Sequence, residues 1–339
     1  MAELSGNTKP LIFIFITVMI DTIGLGIVIP VLPQLLTGLT VNTISVAAQY
    51  GGALMVVYAL THFFFAPILG NLSDAYGRRP VLLLSLGALG IDYVLMGFAP
   101  TIAWLFIGRL IAGAAGATFA VANAYIPDTS APEDRANPVG SIIQMNKFPM
   151  VVGLIIAILF FQTAHGAHPS IWSFYTIEKF DWTPRDIGLS LALVGISMAL
   201  VQGVLIRFIL PRLGEKKSTY FGYFMGAIGF AGFAFADTGT AMLLWILPWS
   251  LMGIAGPALR AIIANQVPDE QQGELSGAIA SMISLTAIFS PVIMTQTFGY
   301  FASENASIYF PGAPYLLAAA LVVLTFICVH FVLRRGQSR

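Results

Sequence analysis

Apolar stretches close to twenty residues long recur along this chain, separated by short polar connections. A helix rises about 1.5 Å per residue, so about 20 such residues cross the ~30 Å hydrocarbon core of a bilayer. In hydrocarbon every backbone N–H and C=O must be paired, and runs this long pair internally as helices rather than strands. Ten spanning segments are predicted, at 11–35, 47–69, 80–98, 102–126, 147–165, 187–206, 218–236, 241–264, 275–298 and 312–333. The fold class is an all-α polytopic membrane protein. Only 9% of the residues are charged, against about 25% in soluble domains, so lipid is the expected solvent. A formal net charge of zero argues against a nucleic-acid partner. The single cysteine, Cys328, lies in the last segment and offers neither a disulfide framework nor a thiolate cluster. The first ten residues lack the basic start and cleavage site of a secretory signal, so the segment from Leu11 is read as a retained helix.

Basic residues orient the segments. With the N-terminus in the cytoplasm, Lys9, Arg78, Arg79, Arg135, Lys147, Arg207, Arg212, Lys216, Lys217, Arg334, Arg335 and Arg339 fall inside, while only Lys179 and Arg185 fall clearly outside. Cytoplasmic connections are enriched in Lys and Arg, so both termini are assigned to the cytoplasm. One outer connection reads as a helix start: Thr183 caps, Pro184 takes the first position and Asp186 stands three after the cap.

The chain repeats itself. Gly113-Ala114-Ala115-Gly116 is followed by Ile126-Pro127-Asp128, and Gly253-Ile254-Ala255-Gly256 by Val267-Pro268-Asp269. Each unit is a small-residue face, which lets helix backbones approach closely, ending in a proline–aspartate stop. The run Gly70-Asn71-Leu72-Ser73-Asp74-Ala75-Tyr76-Gly77-Arg78-Arg79 has a weaker echo from Leu210 to Lys217. Transporters are commonly built from such repeats, with the binding site between them.

These residues resemble the major facilitator superfamily. Gly70 to Arg79 resembles its cytoplasmic loop signature, and Arg109 with Gly113 and Gly116 its fourth-helix signature. Asp21 to Gly26, then Pro30 and Pro33, resembles the first helix of the drug/proton antiporter branch. Asp92-Tyr93, Gly108-Arg109 through Thr118, Phe160 through Pro169 and Gln272 through Leu275 are similar to bacterial tetracycline exporters. The resemblance covers nearly the whole chain and implies two pseudo-symmetric lobes, assigned to 1–136 and 137–339. Such proteins have twelve helices. Here Glu133-Asp134-Arg135-Ala136, similar to the loop after helix four, runs straight into Asn137-Pro138-Val139-Gly140, similar to the approach to helix seven. Helices five and six are therefore expected to be missing, leaving four helices in the first lobe and six in the second. Two smaller departures are Ala75, where the family loop usually has Arg, and the lack of a carboxylate in 218–236, with Asp237 just past its outer end.

Placing Asp or Arg at a helix centre costs about 2.5–3.5 kcal/mol on insertion scales, so such residues usually face a cavity or a partner. Asp21, followed by glycines, suits proton coupling or substrate contact, with a structural polar contact as the alternative. Asp92 and Arg109 lie at similar depths in adjacent segments and can pair, either to fix packing or as a substrate or proton site. Asp74, Arg78 and Arg79, on a tight loop with Gly70 and Gly77, either latch one conformation as a gate or only enforce orientation. Gln162, His165 and His168 cluster at the outer end of the fifth segment as polar cavity lining; a metal site there lacks a third ligand. Arg260, near the cytoplasmic end of its segment, is expected to reach for water or a carbonyl. No Gly-x-Ser-x-Gly elbow, His-Glu-x-x-His or phosphate loop occurs, so an enzyme is not expected.

The resemblance implies proton-driven efflux of a small-molecule drug of the tetracycline type, carried as a chelate with a divalent metal such as magnesium, across the bacterial inner membrane. The proton gradient then replaces any resident cofactor, and the partners are drug, protons and lipid. Two other readings stand beside it: an exporter of another amphipathic drug, and an internally deleted family member that inserts but does not transport.

Overall fold

The computed structural model describes residues 8–40, 43–116, 149–268 and 271–336, and every regular element among them is helical. In chain order these are α1 (Thr8–Leu39), α2 (Ile44–Tyr76), α3 (Arg78–Gly97), α4 (Ile102–Ala115), α5 (Pro149–His165), α6 (Ala167–Phe180), α7 (Pro184–Leu200), α8 (Ile206–Phe235), α9 (Gly239–Leu251), α10 (Ala255–Ala264), α11 (Gln272–Phe301) and α12 (Ala313–Gly336). A π turn, Val201–Leu205, joins α7 to α8, and a 3-10 turn, Met252–Ile254, joins α9 to α10.

Eight stretches among the described residues are long and apolar enough to cross a membrane, and Ile102–Ala115 is a shorter apolar helix. One of the eight, Pro184–Phe235, has 52 residues, over twice the about 20 that one crossing needs. It breaks at Gly214, whose φ of 73° and ψ of 168° leave the helical region, so it holds two crossings. Nine of the ten expected segments are thus matched at spanning length, and Ile102–Ala115 covers the described part of the other, 102–126. The junction residues Ile126–Asp128, Glu133–Ala136 and Asn137–Gly140, with Asp269, lie outside the described residues.

Contacts divide the chain into two compact units, Met1–Thr43 with Ala53–Asp128, and Ile44–Gly52 with Thr129–Arg339. In the first unit α3 packs along α4, and α1 touches α3. Gly113 brings α4 against α2: a Cβ there would lie 2.6 Å from the Tyr58 carbonyl oxygen. In the second unit α12 packs against α5 and α8, and α8 also packs against α9 and α10. The approach of α8 is set by Gly222, Gly226, Gly229 and Gly232, which face Ala255, Met252, Trp249 and Trp245. A Cβ at Gly229 would stand 2.6 Å from the Trp249 backbone nitrogen, so the helices meet there backbone to backbone, as small-residue faces allow in lipid.

The second unit's core is aromatic. Trp172, Tyr175, Tyr223, Phe230, Phe233, Phe298 and Tyr315 are buried. Tyr175 donates its hydroxyl to the Phe233 carbonyl at 2.7 Å, and Trp172 Nε1 donates to Ser190 Oγ at 2.9 Å. Large apolar residues such as Phe64, Leu244 and Leu247 remain exposed, as a lipid-facing surface requires. The Thr183 helix start forms as read: Asp186 N donates to Thr183 Oγ1 at 3.4 Å, and Thr183 N donates to Asp186 Oδ2 at 3.0 Å. At the other side Gln272 Nε2 donates to the carbonyls of Ala264 and Val267 at 2.8 and 2.9 Å, closing the end of α10.

Two sequence expectations change. Gly70 and Asp74 are not on a loop: α2 continues through Tyr76, and only Gly77 is non-helical before α3 begins at Arg78. The reason is local. Nothing between Gly70 and Tyr76 forces the helix to end, and the turn is made by Gly77 alone, whose φ of 89° suits glycine. The fifth segment, read as 147–165, is longer: one apolar stretch runs from Met150 to Phe180, with Gln162, His165 and His168 inside it. Gly166 N donates to the Gln162 carbonyl at 3.0 Å and Ser170 N to the Gly166 carbonyl at 3.3 Å, so the helix crosses Gly166 with only a turn.

Candidate functional site

The first unit gathers its membrane-embedded polar residues on facing sides of α1, α2, α3 and α4. Asp92 lies fifteen residues into α3, a helix of 20 residues, and Arg109 lies near the middle of α4. These two helices are joined on one side, so equal depths bring the side chains together. Arg109 Nη2 donates to Asp92 Oδ2 in an ion pair, with the carboxylate 0% exposed and the guanidinium 13% exposed. The same nitrogen reaches Met96 Sδ at 3.6 Å. Gly108 permits this closure, because a Cβ there would run into Asp92 Oδ1. That oxygen accepts no hydrogen bond among the described residues. Two charges that would each be costly in hydrocarbon are thus neutralised as a pair, and one carboxylate oxygen is left able to take a proton or a donor from a ligand.

Asp21 belongs to the same neighbourhood. Tyr93 follows Asp92 and extends over α1 at Gly24, where a Cβ would stand 2.7 Å from the ring. The charges of Asp21, Asp92 and Arg109 all act on the Tyr93 hydroxyl, and on that of Tyr58 from α2. The Tyr93 hydroxyl is buried and has no partner among the described residues. Tyr58 also packs edge-on against His62, with ring centroids 6.0 Å apart. Sequence reading singled out Asp21, Asp92 and Arg109 but gave no role to Tyr58 and Tyr93. The signal available was Tyr93 beside Asp92, and a tyrosine inside an apolar run at 58.

The second unit holds a different polar group. His165 lies 6.0 Å from Trp249 and His168 4.5 Å, both nearly parallel to the indole, and His168 also lies 4.5 Å from Trp172. Gln162 and Arg260 line a small cleft between α5 and α10, described below. Among the described residues no three His, Cys, Asp or Glu side chains gather as metal ligands. Asp74 is exposed in the last turn of α2, and Arg78 and Arg79 open α3 beyond the Gly77 turn. In α8 the sole carboxylate is Glu215, which accepts from Asn265 Nδ2 at 3.3 Å; Asp237 lies beyond the helix end.

Residues 14–177 and, separately, 154–339 match the sequence profile of the Major Facilitator Superfamily. The chain belongs to the major facilitator superfamily. Both matches claim 154–177, as repeated halves allow. This transporter is 33% identical to the class C tetracycline resistance protein of Escherichia coli over 400 residues, covering 98% of each chain. It is 31% identical to the class G protein of Vibrio anguillarum, over 93% of this chain and 95% of that one. It is thus a member of the tetracycline-resistance group, a multi-pass membrane protein and not an enzyme. An alignment of 400 positions against 339 residues leaves a shortfall that fits two spans and a connection at about 20 residues per span. Among solved structures, the transporter resembles the human organic anion transporter MFSD10 at 16% identity and a TM-score of 0.66, over 94% of this chain and 98% of that one. It also resembles the xylose transporter XylE of E. coli at 14% identity and a TM-score of 0.60, over 93% and 96%. Both likenesses speak for the fold alone.

Proposed function

We propose that this transporter is a proton-coupled exporter of tetracycline-like drugs, carried as divalent-metal chelates, in the bacterial inner membrane with both termini cytoplasmic. The observation that carries the reading is the buried Asp92 beside Arg109, one of whose oxygens accepts no hydrogen bond, in the same neighbourhood as Asp21. Such a pair is a two-state element. Protonating Asp92 weakens its hold on Arg109, and a cationic or metal-bearing substrate competes for the same carboxylates. A proton and a substrate that exclude each other from one site are exchanged rather than co-transported. Asp21 and Asp92 take the proton in turn, Arg109 sets which of them is charged, and the Gly77 turn with Asp74, Arg78 and Arg79 serves as the gate. Gln162 and His165 line the substrate path from the second unit. The relatives named as tetracycline resistance proteins support the drug class.

A second reading follows from the chain's length. A member short of two spans relative to its relatives can insert and fold without transporting. Everted vesicles energised with a proton gradient and supplied with tetracycline and Mg²⁺ separate the two. Gradient-dependent uptake that disappears in Asp21→Asn supports the exporter; vesicles with normal amounts of inserted protein and no uptake establish the silent member.

A further inference from the structure

Of the 16 basic residues, fourteen fall at the ends of the segments predicted from sequence or between them, and two fall within them. Arg109 is one, and Asp92 neutralises it. Arg260 is the other, and it has no hydrogen bond or ion pair among the described residues. An arginine in a span costs about 2.5–3.5 kcal/mol on insertion scales, so its surroundings must say why it is kept.

Snorkelling is the first explanation to test, because Arg260 stands four residues before the end of α10 at Ala264, roughly 6 Å along the axis. That alone does not describe its surroundings: Arg260 is exposed, yet it also lines a cleft within the second unit. Arg260 lines it with Gln162, which is twelve residues beyond the Met150 start of its 31-residue span. The remaining wall is apolar and aromatic, including Phe161 and Tyr223 with ring centroids 5.2 Å apart. Gly256 opens the floor, since a Cβ there would meet nothing within 4 Å. The cleft is partly open and has a volume of about 30 Å³, room for about one water or one ligand oxygen. No carboxylate lines it. A cation and an amide beside a space for one oxygen, with two aromatic side chains in the wall, form a recognition set for an ionised oxygen on an aromatic or polycyclic body.

We propose that Arg260 and Gln162, with the Phe161 and Tyr223 rings, form an anion-selective ligand subsite in the second unit. It takes an enolate or carboxylate oxygen of an amphipathic ring compound. The subsite deepens the exporter reading in that it assigns one end of the substrate, but its chemistry can be tested without transport.

The test uses the purified full-length chain and two probes of nearly the same shape, salicylate and its neutral counterpart salicyl alcohol, titrated by calorimetry. Wild type is expected to favour salicylate by about tenfold or more, the scale of one charged hydrogen bond. Arg260→Gln removes that preference, and Arg260→Lys, a cation without the guanidinium fork, keeps part of it. Melting temperature and elution volume check that each variant is folded. A folded Arg260→Gln that still prefers salicylate, or a wild type with no preference, overturns the subsite. Tetracycline uptake in the same variants separates this inference from the function on which it builds. Salicylate preference without any uptake in wild type sinks the exporter reading and leaves the subsite standing. Uptake with an unchanged KM in Arg260→Gln, together with unchanged salicylate preference, sinks the subsite and leaves the exporter.

Discussion

Each unit keeps one arginine within the membrane, and the two are housed in opposite ways. Arg109 is held by a fully buried carboxylate and shielded by Met96 and by the close approach of Gly108. Arg260 faces an open cleft with an amide and two aromatic rings for company. The first arrangement is complete in itself and changes only when a proton or ligand breaks it. The same residue type is thus held by an ion pair in one unit and has none among the described residues in the other. The neighbours decide which.

The comparison can be broken most directly at Asp92. Asp92→Ala leaves Arg109 buried and unpaired, which should destabilise the transporter by about 3–5 kcal/mol; thermal unfolding of the purified chain measures it. Removing both charges, as Asp92→Leu with Arg109→Leu, should recover most of that stability and none of the uptake. A double variant that transports would reduce the pair to packing. Gly229→Ala comes next, at about 1–3 kcal/mol of overpacking, because the added methyl meets the Trp249 backbone rather than a movable side chain. Arg260→Gln should change stability by less than about 0.5 kcal/mol, an order below Asp92→Ala, in keeping with an exposed arginine that holds nothing in place. Thr238→Ala tests a purely local element of the second unit. Its hydroxyl caps α9 by accepting from Ala241 N at 3.2 Å, and its loss should cost about 1 kcal/mol with uptake unchanged.

Positions along the membrane normal were legible in the sequence, and rotations about helix axes were not. Segment lengths, the Thr183 helix start and the meeting of Asp92 with Arg109 depend on counting residues from a helix end, which hydropathy supplies. That Tyr93 lies over Gly24, or that Arg260 meets Gln162, depends on which face each helix turns inward. All-round apolar helices carry no periodic signal for that. The fifth segment, expected to end at 165, continues as helix to Phe180 with only a turn at Gly166, where Gly166 N donates to the Gln162 carbonyl. The approach of α8 is written at Gly222, Gly226, Gly229 and Gly232, spaced at helical intervals, rather than at Gly253 and Gly256. Of those two, Gly253 faces Gln202 at 3.2 Å and Gly256 faces open space.

The row of glycines on α8 also bears on how this chain can evolve. Every missense change in a glycine codon installs a Cβ. At positions 222 and 229 that atom would stand 2.8 and 2.6 Å from the backbone nitrogens of Ala255 and Trp249. At position 226 it meets the flexible side chain of Met252. In a library of all single substitutions selected for function, sequencing would therefore find a comb of depleted codons along α8, deepest at 222 and 229.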